Sequence, residues 1–146
     1  MATFKEVKLN ILSVIDNLLA SGLTDGESER NESSLSGFMK LDTDAFVISY
    51  LEELDGGKVT TDIEIKNDTV SLLRRGAVVS EFFFKEGVKH SSLYQIPPYS
   101  FDAEIFTKRI RCSLSEEGGE ISLVYNMKIG GADKAVRMKI KICTEG

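Results

Sequence analysis

The chain has no tryptophan, one histidine, two prolines and two cysteines among its 146 residues. Each scarcity removes a class of explanation. A lone His90 has no second His or Cys at ligand spacing, so no metal site is expected. It also sits in an irregular stretch near Pro97, where no Ser-His-Asp arrangement can be argued. Two cysteines in a chain of this length make no disulfide framework. Cys112 and Cys143 are expected as free thiols, which suit a reducing cytoplasm; a disulfide closing the fold is the minor alternative. No run approaches the ~20 apolar residues of a membrane-spanning helix. The apolar N-terminal stretch is interrupted by Lys5, Glu6, Lys8 and Asn10 and lacks a small-residue cleavage site, so no signal peptide is expected. Basic charge is in deficit: a net charge of −5 argues against nucleic-acid and anionic-membrane partners. No phosphate-binding glycine motif is present, and no cofactor is implied.

What the chain does have is alternation. Val59, Thr61, Ile63 and Ile65 fall on one face; so do Ile121, Leu123, Tyr125, Met127 and Ile129, and so do Val136, Met138, Ile140 and Ile142. A period of two marks half-buried β-strands. From Ala45 onward such segments follow one another through short Gly, Asn and Asp turns, Asn67-Asp68 being a hairpin loop that tolerates positive φ. A meander this long closes into a barrel. The expectation is an all-β, single-domain protein over residues 1–146: an antiparallel meander barrel of about eight strands, with an extra edge strand or a short helix as additions.

Two places depart from simple alternation. Phe4 to Leu19 fits either period; its branched residues and the change of parity at Leu12 read as a bulged strand, ending in a helical turn at Asp16–Ala20. In the long segment Phe101–Leu114 the face passes from Phe101, Ala103 and Ile105 to Phe106, Ile110, Cys112 and Leu114, again a bulge, with Cys112 expected to be buried. Pro97-Pro98 removes two backbone donors and marks a strand end, an edge or a corner. Residues 21–34, polar and glycine-containing, read as a flexible solvated loop.

From Val47 onward, over about two thirds of the chain, the residues resemble the YwiB-like family, bacterial barrels of calycin (lipocalin) type with no established activity. The likeness is carried by Ser49-Tyr50, Glu52-Glu53, Asp55 and Gly57-Lys58-Val59. It continues through Arg74, Gly76-Ala77-Val78, Phe84, Gly87, Tyr94, Thr107-Lys108, Ile110 and Leu114 to Glu116-Glu117, Gly119, Ile121-Ser122 and Tyr125, and Gly37-Phe38 looks like the family's second strand. The chain departs from the family pattern at Tyr99-Ser100, where a glycine is usual before the long strand, and in an expanded first connection. The resemblance implies an eight-stranded meander barrel and no known ligand.

Parity also sorts the polar residues. Arg74 shares the face of Val70 and Leu72, and Glu52 that of Phe46, Ile48 and Tyr50, so the two are candidates for an internal ion pair closing one barrel end. The functional alternative is an Arg74 that receives a carboxylate or phosphate through its planar donor fork. Tyr50, Tyr94 and Tyr125 offer apolar bodies with polar tips, and Thr107 a small hydroxyl; each suits a ligand pocket and equally an ordinary core. Glu52 and Glu53 face opposite sides and cannot form a paired-carboxylate site. Arg137, Lys139 and Lys141 lie on an outward face, with Lys128 near them and Lys108 or Arg111 adjacent, read as a solvated strand face or as an anion or RNA footprint. No nucleophile–base pair emerges, so no enzyme is expected. The reading is a barrel binding a small, partly apolar molecule, hydrophobic or anionic, at Tyr50, Glu52, Arg74, Tyr94, Thr107 and Tyr125. The alternative is a filled structural or protein-interaction barrel using an outer face or a homodimer contact.

Overall fold

The computed structural model describes residues 3–19, 21–42 and 44–144, with side chains from residue 5. It is a closed antiparallel barrel of ten strands: β1 Thr3–Leu18, β2 Thr24–Asp42, β3 Ala45–Leu54, β4 Gly57–Lys66, β5 Thr69–Gly76, β6 Val79–Lys85, β7 Lys89–Ile96, β8 Tyr99–Ser115, β9 Gly118–Ile129 and β10 Ala132–Thr144. Every strand pairs with its sequence neighbours, and β1 closes the ring on β10 from Val7↔Thr144 to Asn17↔Lys134. Ten strands replace the expected eight.

The inward faces follow the alternation. Val7, Leu9, Ile48, Ile63, Val70, Leu72, Phe84, Ile105, Ile121, Leu123, Val136 and Ile140 form one apolar cluster. Opposite residues point outward, as in β4, where Val59, Thr61, Ile63 and Ile65 are buried between exposed Thr60, Glu64 and Lys66. Asn67 takes φ 56 in the β4–β5 turn, as its side chain permits. Pro97-Pro98, joined by a cis peptide, makes the tight β7–β8 turn.

Three local expectations change. Residues 24–34 are not a loop but the first part of β2, paired with β1 from Ser28↔Asp16 onward. They are exposed throughout because β3 joins β2 only from Gly37↔Tyr50, leaving the preceding segment with one neighbour. Main-chain pairing needs no apolar face, so nothing in the side-chain pattern announced it. The N-terminal segment has no helical turn over its described part: β1 runs through Leu18, and Ala20 lies outside the described residues. Its pairing is also continuous across Leu12, with the irregularity at Asp16/Leu18 instead. Leu12 and Val14 face outward beside Lys139 and Arg137, whose aliphatic stems suit apolar neighbours.

The bulge in β8 does exist, at Lys108 between Thr107 and Arg109, two residues later than the apolar pattern suggested. Phe106 therefore points outward and is exposed. Cys112 is exposed rather than buried. Pairing with β7 ends at Lys89↔Phe106, so the last part of β8 has only β9 beside it. Cys143 is exposed as well, and both thiols are free.

Candidate functional site

The registers of five consecutive strands place one polar row inside the wall. Tyr50 of β3 lies opposite Thr61 of β4, Thr61 opposite Arg74 of β5, Arg74 opposite Ser80 of β6, and Ser80 opposite Tyr94 of β7. All five have inward parity. The row begins beside Gly37 of β2, where an added Cβ would stand 2.5 Å from the Ser49 carbonyl oxygen and 3.1 Å from Tyr50 Cβ. The missing side chain thus gives Tyr50 its room. At the other side of the barrel Thr107 and Tyr125 oppose each other on β8 and β9.

This row is short of partners. Thr61, Ser80 and Thr107 are at most 1% exposed, yet their hydroxyl oxygens complete no hydrogen bond, and neither does the buried Nε of Arg74. Burial raises the pKa of Tyr50; the Arg74 charge opposes this, nearby Glu52 adds to it, and approaching donors from Thr61 and Arg74 oppose it again. The approach at Thr61 falls short of a formed bond. Burial likewise pushes Tyr125 up to about 12 against the pull of Arg74. Both phenols stay protonated at neutral pH and can donate a hydrogen bond. Aromatic faces back the row: Phe82 stacks on Tyr94 at 6.0 Å, and Phe84 meets Tyr125 at 4.8 Å.

The expected Glu52–Arg74 ion pair is not formed. Register explains it: Glu52 opposes Val59 and Val59 opposes Gly76, so Glu52 stands one inward step beyond the Arg74 row. Among the described residues the ion pairs are Glu53–Lys58, Asp62–Arg75, Glu104–Lys89, Asp16–Arg137 and Glu120–Lys139. None reaches Arg74. Tyr50, Arg74 and Tyr94 are brought together in the row, Tyr125 feels its charge, Thr107 sits beside Tyr125, and Glu52 stays at the margin. Thr61 and Ser80 complete the row and were missed as site residues. The parity of Thr61 with Ile63, and of Ser80 with Phe82, already carried that signal.

The outward basic face is partly neutralised. Arg137 lies 3.7 Å from Asp16 and Lys139 3.4 Å from Glu120. Arg111 shares a row with Ser122 and Lys139, whereas Lys128 stands apart, opposite Asp133 and Glu104. No group of His, Cys, Asp or Glu among the described residues is arranged to hold a metal.

A closed antiparallel barrel with an internal arginine among hydroxyls and phenols is the class that fold and site define. Residues 20–142 match the family described as "Domain of unknown function (DUF1934)", and the chain belongs to that family. It is 32% identical over 124 residues to the uncharacterized beta-barrel protein YwiB of Bacillus subtilis (strain 168), spanning 85% of this chain and 82% of that protein. The crystal structure of that ywiB protein superimposes with a TM-score of 0.86 at 29% identity, covering 98% of this chain and 94% of the other. The YwiB-like resemblance of the sequence therefore holds, and the fold with it. No helix among the described residues is long and apolar enough to cross a membrane.

Proposed function

We propose that this barrel binds a small organic anion in its interior, with Arg74 as the receptor of the charged group. The reading rests on one observation: a guanidinium with a buried, unpartnered Nε and no carboxylate in ion-pair range, set between unpartnered hydroxyls. Arg74 is half-buried, but its Nε is out of water without an acceptor, and an incoming carboxylate or phosphate supplies one. Thr61 and Ser80 can donate their hydroxyl hydrogens to its remaining lone pairs. Tyr50 and Tyr125, held neutral by burial, can do the same. The aromatic rings of Phe82, Phe84 and Tyr94 suit an apolar remainder. The role proposed is binding without catalysis, in a cytoplasmic calycin-type barrel; the free thiols of Cys112 and Cys143 support the compartment. Charged outward residues such as Glu64, Arg137 and Lys139 favour water over lipid around the wall.

A thermal-shift panel of small carboxylates and phosphate esters tests the reading. A ligand present at 100 times its Kd adds roughly 2.7 kcal/mol of stability to the protein, and Arg74→Met abolishes that gain. A panel without a hit, or a hit that survives Arg74→Met, would sink it.

A second reading has its own support. The exposed, one-sided segment 24–36 of β2 offers unpaired main-chain groups along an edge, which is how strand-adding protein interfaces begin. Sizing in solution at high concentration distinguishes this: self-association that depends on residues 24–36 favours an interaction barrel.

A further inference from the structure

The wall of the barrel has a slit between β6 and β7. These strands pair at only two positions, Val79↔Gln95 and Ser80↔Tyr94, while β5 and β6 pair at six and β7 and β8 at eight. The far end is closed again by the turn, where Val88 N–H donates to the Lys85 carbonyl at 3.0 Å. That turn is pinned to β8: Gly87 N–H donates to the Thr107 carbonyl at 2.9 Å, and Ile110 N–H to Glu86 Oε1 at 2.8 Å beyond the bulge. Held at both ends, the strands part between residues 81 and 93. Side chains alone bridge the gap: the Ser92 hydroxyl donates to the Glu81 carbonyl, and the Phe83 and His90 rings meet at 5.7 Å.

A groove of about 360 Å³ lies over this slit, with Leu73, Val79 and Leu93 as its apolar lining. Ser80 also lines it. That residue is 1% exposed, has an unpartnered hydroxyl, and is Arg74's own neighbour in the polar row. Ser80 therefore sits where the internal row and the outer groove meet, with its hydroxyl on the inward face.

We propose that the slit is where the ligand sits and passes: its anionic head lies inside against Arg74 and Ser80, and an unbranched apolar tail runs out through the slit along Leu73, Val79 and Leu93. This rests on the anion-binding reading above. The polarity follows from charge. Arg74 is on the inner side, whereas Glu81 stands exposed at the outer rim and repels an anionic head left there. The outer apolar residues also account for exposure that is otherwise costly: Val79 and Leu93 are 37% and 48% exposed on adjoining strands.

The test titrates acetate, butyrate, hexanoate and octanoate into isotopically labelled protein and follows backbone NMR shifts. Affinity rises about three- to fourfold per added CH2 until the groove is filled. Arg74→Met weakens every acid at least tenfold. Leu93→Ser, at an exposed position that does not threaten folding, leaves acetate unchanged and weakens octanoate at least fivefold. If Arg74→Met acts but the chain-length slope is intact in Leu93→Ser, the tail lies elsewhere and the slit is overturned while the internal site stands. If no acid binds, or Arg74→Met changes nothing, both fall.

Discussion

Replacing Arg74 by methionine separates a strut from a receptor. If the guanidinium tied the wall through a buried ion pair, its removal would strand a charge and cost about 3–5 kcal/mol. The geometry gives a different sum. Nε is buried without a partner, and relieving one such donor returns about 1–3 kcal/mol. The approach to Tyr50 is lost, worth about 0.5–1.5 kcal/mol for an imperfect hydrogen bond. Methionine keeps most of the apolar stem and adapts to an irregular gap. The net expectation is a ligand-free protein more stable by about 1 kcal/mol, which in a chain of this size raises Tm by about 2–4 °C. Urea unfolding followed by circular dichroism measures it, with the m-value unchanged if the native and denatured states stay comparable. Tyr50→Phe costs stability in the parent and nothing in the Arg74→Met background, which isolates the pair. A loss of 2 kcal/mol or more in Arg74→Met would refute the argument and restore the arginine to a structural role. A gain would fit a binding residue kept at the expense of stability.

Three further outcomes follow from the same structure. Tyr125 has a folded pKa of about 12 against 10.0 for a free phenol, so the unfolded chain releases this proton first. Its contribution is complete below pH 10 and is lost as pH rises from 10 towards 12, and Tyr125→Phe flattens that part of the alkaline stability profile. Gly76, at φ 115, brings its Cα so near the next strand that an added Cβ would stand 2.3 Å from the Lys58 carbonyl oxygen. Gly76→Ala therefore lowers stability by roughly 2–4 kcal/mol in denaturant unfolding, whereas alanine at Gly131, where nothing lies within 4 Å, avoids the clash and costs less. Both cysteines are exposed, so both react with a thiol-specific disulfide reagent in the native protein. Partial desolvation holds the Cys112 thiol above its ordinary pKa, so its reaction accelerates as the pH is raised above 8; a native protein with one silent thiol would contradict this.

Much of the barrel was legible strand by strand. β4, β9 and β10 alternate without interruption, and their inward sets are buried or, at Met127, Ile129 and Met138, half-buried against the core. Where the pattern misled, a neighbour was missing. Residues 24–34 of β2 pair with β1 through main chain and exposed polar side chains and bury nothing. Cys112 shares the parity of Ile110 and Leu114, but its stretch of β8 lacks a strand on one side. The site was half legible. Arg74, Tyr50, Tyr94 and Tyr125 could be named from parity; Thr61 and Ser80 have the same inward parity, but only the register shows that they stand beside Arg74.

The sequence by itself determined which side each residue of a strand takes, because successive side chains must alternate across a pleated backbone. It thereby determined that Arg74 points inward. Only the tertiary structure decided what Arg74 meets there, because register is a relation between strands. One inward step separates a row holding Glu52 from a row holding Tyr50, Thr61 and Ser80, and that step leaves the arginine without a carboxylate.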